Sequence, residues 1–267
     1  MVEALALETI RSTETRQFNG VGCPLEWLYD RVDEAEFIAP QPRSYYERGH
    51  LGHAMIGAYL LSGDIALVDD ILEGYVPAEG EWKETSKCTK EGLLDEVKAI
   101  FDRWVDQYEE FYTEYISVDT EVLLEVETPN GTLVSTEADA IFINEDGRPT
   151  IVDWKLGTSK SGHAIQLYVY WYCMRRLGIA KPSDYFRGWF HYVNYAKPIK
   201  MVGEYPGDEF VEAYIDNAER NRREGPYLPN PTYFDCRYCD HSANCPLFGD
   251  DPVEAWNYIK EVEITFV

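Results

Sequence analysis

The stretch from Ile151 to Tyr172, "IVDWKLGTSKSGHAIQLYVYWY", has the pattern of a short buried strand, a polar loop and an aromatic-rich amphipathic helix. Its strand portion is apolar except for Asp153 and Lys155, which are two residues apart. Charged groups in a core strand are costly to bury unless something uses them. Because residues i and i+2 of a strand point to the same face, both side chains are expected on one side of the sheet.

The segments around this stretch predict a mixed α/β protein. Helices are expected in "SYYERGHLGHAMIGAYLLSG", from Glu91 to about Glu114, in "SGHAIQLYVYWYCMRRLG" and in "GDEFVEAYIDNAERNRR", and a further helix begins at Pro24. Strands are expected in "ISVDTEVLLEV", "TLVSTEADAIFI", "TIVDWKL", "YFRGWFHYVNY" and "KPIKMVGEY". This order of elements predicts a mixed central sheet flanked by helices.

The charge of the chain is strongly negative but unevenly distributed. The 267 residues carry a net charge of -24, which taken alone argues against nucleic acid as a partner. The segment from Trp154 to Lys200 instead has eight basic residues and one acid, a net +7, which leaves 16 basic against 47 acidic residues elsewhere, a net -31. This basic segment is either a contact surface for a polyanion or a chance cluster of solvated side chains.

No sequence feature indicates a membrane or secreted protein. There is no run of about 18 apolar residues. The N-terminal "MVEALALETIRSTETRQF" lacks the basic and apolar segments of a secretory signal. We therefore expect an intracellular protein.

Two acids on neighbouring predicted strands suggest metal-dependent phosphodiester chemistry. Asp139 in "STEADAIFI" and Asp153 in "IVDWK" are separated by one turn, so a hairpin can bring both carboxylates to the same end of the sheet. Carboxylates are the ligands that Mg²⁺ or Mn²⁺ prefers, and such a metal polarises a phosphate and generates a hydroxide nucleophile. Lys155 can orient the water or stabilise developing negative charge.

The segments "EADAIF", "IVDWK" and "QLYVY" together resemble the RecB-like branch of the PD-(D/E)XK nucleases. The resemblance implies a restriction-endonuclease-like fold. It also implies a set of catalytic residues, namely Asp139, Asp153, Lys155, Gln166 and Tyr170.

The same resemblance implies a set of metal ligands. His53 fits the upstream Gly-x3-His pattern that begins at Gly49, and the ligands would be His53, Asp139, Asp153 and the Val152 carbonyl. Glu121 is a weaker candidate near the site, and His50 has no assigned role. The chain departs from the family at Glu137, where relatives often carry glycine two residues before the first Asp.

Six cysteines suggest a second metal centre. Three lie in "FDCRYCDHSANCPLF", and this density without a signal peptide argues for a metal or cluster over disulfides. The resemblance extends to RecB-like nucleases with an iron–sulfur cluster, the AddB subunit and the CRISPR-associated "Cas-four" exonucleases. It implies a [4Fe–4S] cluster held by Cys23, Cys236, Cys239 and Cys245. Spacing alone favours Zn²⁺ at this Cys₄ site, so zinc stays open. Cys173 is expected to be buried and Cys88 to be a surface thiol.

Together these patterns predict the domain organisation of the whole chain. Residues 1–267 form a single nuclease domain, in which 1–45 and 226–267 make a cluster-binding subregion that joins the two ends and 46–225 make the nuclease core. No Walker motif is present, so no motor is expected.

The resemblance implies a stand-alone exonuclease that acts on single-stranded DNA ends, in recombination, repair, replication or CRISPR adaptation. We expect the protein in the cytoplasm, associated with the nucleoid, and an origin from a virus stays open. DNA contacts are expected from Lys160, Arg175, Arg176 and Tyr168. The aromatic residues Tyr168, Tyr170, Trp171 and Tyr172 offer stacking surface for unpaired bases, but for at least half of them we expect packing of the helix against the core instead. The alternative is a DNA-end-binding adaptor that passes ends to a protein partner without cutting them.

Overall fold

The structure is a computed structural model that describes residues 9–19, 22–24, 44–76, 92–157, 160 and 162–224. Within these residues there are six helices and five strands. In chain order they are α1 (Ser12–Gln17), α2 (Ser44–Ser62), α3 (Ile65–Gly74), α4 (Leu93–Phe111), β1 (Tyr115–Glu127), β2 (Leu133–Asn144), β3 (Pro149–Lys155), α5 (Ala164–Arg176), β4 (Gly188–Tyr192), β5 (Ile199–Met201) and α6 (Asp208–Glu224).

The five strands form one mixed sheet in the order β1-β2-β3-β4-β5. Strands β2 and β3 are antiparallel, with Ala140 opposite Val152, whereas β3 and β4 are parallel, with Val152 opposite Trp189. Strands β4 and β5 are antiparallel again. A parallel pair needs a crossover connection, and α5 provides it between β3 and β4. The predicted mixed sheet with flanking helices is confirmed.

The central strand β3 separates two environments. Val152, Trp154 and Leu156 belong to a core shared with α2 and α4, where the rings of Trp154 and Trp104 meet edge to face with centroids 6.0 Å apart. Because side chains alternate along a strand, Asp153 and Lys155 lie on the opposite face. Helix α5 packs against β3 and β4. This alternation keeps the charged pair out of the aromatic core.

Two of the helices were not predicted from the sequence. Helix α1 has only six residues, too few for a periodic pattern, and the Glu14 carboxylate accepts a hydrogen bond from the Arg11 N–H at 3.0 Å at its start. Helix α3 begins after Asp64, whose side chain accepts a hydrogen bond from the Ala66 N–H at 2.9 Å. That N-cap was readable in the sequence. The helix predicted to begin at Pro24 falls, after Pro24 itself, on residues that lie outside the described residues.

The chain divides into two compact units. One contains Met1–Pro40, Glu127–Val134 and Glu209–Val267, and the other contains Gln41–Val126 and Ser135–Asp208. In the first unit the Asp216 carboxylate accepts hydrogen bonds from Thr128 and Asn130 at 2.9 and 2.6 Å. The second unit holds all the candidate catalytic side chains. The cluster-binding subregion stays a prediction, because residues 225–267 lie outside the described residues.

None of the helices in the described part of the chain is both long enough and apolar enough to cross a bilayer.

Candidate active site

The two predicted acids lie side by side on the β2–β3 hairpin. The antiparallel pairing runs from Ile143–Pro149 to Ala140–Val152, so Asp139 and Asp153 are the residues that follow the last pair on the two strands. Asp139 Oδ2 accepts a hydrogen bond from the backbone N–H of Trp154 at 2.8 Å. Asp153 is buried, and the Lys155 Nζ lies 2.5 Å from its Oδ1. The strand pattern therefore places both carboxylates and the lysine at one site.

His53 reaches the same site from α2. Its Nδ1 lies 3.5 Å from Asp139 Oδ1, and its Nε2 lies 3.2 Å from the backbone carbonyl of Trp154. A carbonyl can only accept a hydrogen bond, so Nε2 is the donor and Nδ1 faces the carboxylate. Metal-binding histidines commonly donate their second ring N–H to a backbone carbonyl in this way. The backbone of Trp154 thus orients both Asp139 and His53.

The electrostatics of the site favour a bound cation. Burial raises the pKa of the Asp153 carboxyl above its usual range, and the negative charge of Asp139 raises this pKa further. The ammonium group of Lys155 opposes both effects. Ionising both acids is costly because the two carboxylates repel each other, and a cation between them would offset that repulsion.

Glu121 and Glu137 add two more carboxyls beside the site. Burial raises the pKa of the Glu121 carboxyl, and a hydrogen bond with Glu137 and the charge of Asp139 raise it further. The backbone of Glu121 also has a φ angle of 50°, in the left-handed region that residues other than glycine rarely adopt. Sequence reasoning missed Glu137 as a contributor. Its position two residues before Asp139, on the same face of β2, was the available signal.

The donor types at the site fit a divalent cation, although the full ligand set is not assembled. In the part of the chain that the structure describes, no group of three or more His, Cys, Asp or Glu side chains is arranged to hold a metal ion. Asp139 Oδ1 and His53 Nδ1 nevertheless face each other. The buried Oδ1 of Asp153 makes an ion pair with Lys155 but no well-directed hydrogen bond. Carboxylate and imidazole donors of this kind suit Mn²⁺ and, for the carboxylates, Mg²⁺.

Three other candidate site residues, Gln166, Tyr170 and Val152, make contacts with residues other than His53, Asp139 and Lys155. Gln166 Nε2 donates a hydrogen bond to the Tyr170 hydroxyl at 2.8 Å, as expected for residues four apart on α5. Val152, whose carbonyl was a candidate ligand, is buried in the central strand between Ala140 and Trp189.

The candidate DNA contacts differ in their surroundings. The Lys160 ammonium lies 4.6 Å from the centroid of the Tyr195 ring. Arg175 pairs with the Asp208 carboxylate at 3.0 Å, and Arg176 is exposed. The Tyr168 ring packs edge to face against Phe186 with centroids 5.2 Å apart. Lys160 and Arg176 are therefore the more accessible basic side chains of this set.

Three of the four aromatic residues on α5 are buried, which confirms the expectation that at least half of them pack in the core and leaves these three no role in stacking on DNA. Tyr170, Trp171 and Tyr172 are only 3, 1 and 0% exposed. The Trp171 ring packs edge to face against Phe186 with centroids 5.5 Å apart, and rings buried to this extent cannot stack on an unpaired base.

Only two of the cysteines lie in the described residues. Cys23 is half-buried with no disulfide, and its carbonyl accepts a hydrogen bond from Gln17 Nε2 at 2.6 Å. Cys173 is buried, as predicted, and burial raises the pKa of its thiol to about 12. Cys88, Cys236, Cys239 and Cys245 lie outside the described residues.

Comparison with known families identifies the class of protein. The family model of the PD-(D/E)XK nuclease superfamily matches residues 16–246, which include every candidate catalytic residue. The chain belongs to the PD-(D/E)XK nuclease superfamily. This membership implies a phosphodiesterase with a nucleic-acid substrate, and nucleases of this superfamily typically use a divalent metal ion.

No curated protein matches the sequence. Among solved structures, the chain is similar to one described as "Crystal structure of SSO0001", with 15% sequence identity and a TM-score of 0.36. The match covers 84% of this chain and 93% of that chain.

Proposed function

We propose that this PD-(D/E)XK protein is a metal-dependent DNA exonuclease of the RecB-like branch that acts on single-stranded ends. One observation carries the proposal: Asp139 accepts a hydrogen bond from the backbone N–H of Trp154, the neighbour of Asp153, and lies next to His53, while Lys155 lies against Asp153 on the same strand. The basic segment from Trp154 to Lys200 follows this site directly in the sequence and supports a polyanionic substrate.

Each side chain has a role that follows from its contacts. His53, Asp139 and Asp153 would hold Mg²⁺ or Mn²⁺, which when bound supplies a Lewis acid and an activated water. Lys155 presents its ammonium group beside Asp153, where it can stabilise negative charge on a phosphate oxygen. The N–H and the carbonyl of Trp154 fix Asp139 and His53. The hydrogen bond between Gln166 and Tyr170 holds these two side chains together on α5.

The test is cleavage of end-labelled single-stranded DNA with Mn²⁺, with Mg²⁺ and with EDTA. Metal-dependent cleavage is expected, and Asp153→Asn and Lys155→Met are each expected to slow it at least about 100-fold. Helix α4 offers a matched control pair, because Lys98 and Asp102 form an exposed ion pair at 3.2 Å. Asp102→Asn and Lys98→Met make the same chemical changes there and should leave the rate unchanged.

Two results would contradict the proposal. Cleavage that survives Asp153→Asn and Lys155→Met would place the activity elsewhere. DNA binding without any metal-dependent cleavage would favour the adaptor function. Closed circular single-stranded DNA tests the requirement for ends: an exonuclease leaves it intact while degrading the linear form.

The proposal includes a [4Fe–4S] cluster on Cys23, Cys236, Cys239 and Cys245, with Zn²⁺ as the alternative. Its support is the resemblance. Protein purified without oxygen should be brown, with broad absorption near about 400 nm, and should contain iron and sulfide. Cys23→Ser should remove this absorption. A colourless protein that contains zinc would decide for the alternative.

A further inference from the structure

The Lys155 ammonium group has a second neighbour besides the Asp153 carboxylate. Its Nζ lies over the ring of Phe190, 5.6 Å from the ring centroid, and a cation and an aromatic ring attract each other within about 6 Å. Strands β3 and β4 are parallel with Asp153 opposite Phe190, and Lys155 is two residues further along β3 on the same face. The Lys155 side chain therefore reaches back along β3 toward both Asp153 and Phe190.

Burial strengthens this contact between the ammonium group and the ring. Phe190 is only 1% exposed, and the Lys155 side chain is 24% exposed. The attraction between a cation and an aromatic ring is largest where water is excluded. An aliphatic side chain in place of Phe190 would exclude water as well, but it would not attract the ammonium group, whereas the face of a phenylalanine ring is negatively polarised. An aromatic side chain therefore suits this buried place beside a charged group.

The Phe190 ring is held in place by the backbone of Gly162, which follows β3 in the chain. A Cβ at Gly162 would lie 2.6–2.7 Å from three atoms of the ring, so only glycine allows the backbone to come this close. The Gly162 N–H also donates a hydrogen bond to the Tyr192 hydroxyl at 3.3 Å. Two residues of β4 thus fix Gly162, and Gly162 in turn limits the movement of the Phe190 ring away from Lys155.

We propose that Phe190 is a positioning residue for Lys155, and that its ring holds the ammonium group where it stabilises negative charge on the phosphate that is cut. This proposal rests on the nuclease function proposed above, in which Lys155 has that role. The lysine side chain is flexible, and a displacement of about 1 Å at a reacting group can cost on the order of 100-fold in rate. Asp153 would also hold the metal ion, whereas the Phe190 ring attracts the ammonium group without competing for the metal.

The first test weakens the polarisation of the ring while keeping its shape. Phe190 is replaced site-specifically by phenylalanine with one, two or three ring fluorines, which withdraw electron density from the ring face in steps. Cleavage of end-labelled single-stranded DNA with saturating Mn²⁺ should slow with each fluorine, to about ten-fold in kcat with three. KM should change less than about two-fold. In the Lys155→Met protein, which has no ammonium group, the same fluorines should leave the residual rate unchanged.

Phe142 provides a matched control for the fluorinated proteins. It is as buried as Phe190, but its ring stacks on Tyr112 in the core with centroids 4.6 Å apart. Three fluorines on Phe142 should therefore leave the cleavage rate unchanged.

A second measurement needs no catalysis. Urea unfolding in EDTA compares the wild type, Phe190→Leu, Lys155→Met and the double variant. The two substitutions should be coupled by about five-fold in the unfolding equilibrium constant, because each removes the same contact between ammonium group and ring. Phe142→Leu and Lys155→Met should instead be additive. Trifluorinated phenylalanine takes the place of leucine at position 190 if Phe190→Leu does not fold.

The outcomes separate this proposal from the proposed function. If the wild type cuts DNA and three fluorines on Phe190 leave kcat unchanged, Phe190 does not position Lys155. The proposal is also overturned if the fluorines slow Lys155→Met as much as the wild type, or if unfolding shows no coupling, because the ring then acts by packing alone. If the wild type does not cut DNA, the proposed function itself fails, and the unfolding measurement still decides whether the ring holds the ammonium group.

Discussion

His53 Nδ1 lies 3.5 Å from Asp139 Oδ1, and the Nε2 of the same ring lies 3.2 Å from the carbonyl of Trp154. Because the Trp154 carbonyl can only accept a hydrogen bond, Nε2 carries a hydrogen. Nδ1 then has two possible roles: it donates a second N–H to the Asp139 carboxylate, or its lone pair and the carboxylate bind the same cation. In both cases a positive charge, on the His53 ring or on the bound cation, links helix α2 to strand β2. The position of α2 on the sheet therefore matters for the chemistry of the site.

The first prediction concerns this contact. His53→Ala should raise the Mn²⁺ concentration needed for half-maximal cleavage at least about ten-fold, because one donor and its fixed orientation are lost. Titration of the nuclease activity with Mn²⁺ measures the effect, and calorimetric titration without DNA gives the metal affinity directly. An unchanged metal requirement in both measurements would show that His53 is not a ligand.

The second prediction concerns a buried ion pair in α6. Glu219 and Arg222 are 6 and 4% exposed, and the two Glu219 oxygens accept hydrogen bonds from Arg222 at 2.6 and 2.8 Å. Glu219→Leu should lower the free energy of unfolding by about 3–5 kcal/mol, because the buried Arg222 guanidinium loses both hydrogen bonds to the Glu219 carboxylate.

Urea denaturation measures this loss, and the Lys98–Asp102 pair on α4 provides the comparison. Its side chains are 46 and 59% exposed, and removing it should cost about 0.5 kcal/mol or less. Similar losses of unfolding free energy for the two pairs would show that burial does not make the Glu219–Arg222 pair more important for stability.

The third prediction contrasts two glycines of the same helix. Gly52→Ala should lower the free energy of unfolding by about 1–3 kcal/mol, since Leu156 must move within a packed core to admit the methyl group. Gly49→Ala should raise it by about 0.8–1 kcal/mol, since its Cβ projects into open space and alanine favours the helix. Thermal and urea unfolding of the two variants should therefore move in opposite directions.

The fourth prediction is a dependence of stability on pH that arises from His191. This ring is fully buried between the Tyr112 hydroxyl and the Gln107 side chain, at 2.7 Å from each, and burial lowers its pKa to about 3. In the unfolded chain a histidine has a pKa of about 6.5. Between about pH 6.5 and 3 the unfolded state therefore binds one more proton, and stability falls as the pH falls.

His191→Gln tests this dependence because it keeps an amide that can donate and accept but does not titrate. It should be less stable than the wild type at pH 7, yet the difference should shrink by up to about 1.4 kcal/mol for each pH unit below about 6.5. Urea unfolding at pH 7, 6 and 5 gives the comparison. Parallel pH profiles for the two proteins would show that another group dominates.

The sequence by itself determined the local structure of the site. The apolar run of β3, interrupted only by charges two residues apart, predicted that Asp153 and Lys155 share a face, because strand periodicity is a local property. The turn between β2 and β3 likewise predicted that Asp139 and Asp153 are neighbours. The long periodic helices α2, α4 and α5 were recognised for the same reason.

The tertiary structure alone decided what surrounds that hairpin. No local pattern could reveal that the Trp154 backbone holds both Asp139 and His53, that Glu137 meets Glu121, or that α5 buries three aromatic rings that the sequence suggested for DNA. The contact of His53 with the Trp154 carbonyl joins residues 101 positions apart in the chain, and the burial of the α5 rings depends on how that helix packs on the sheet.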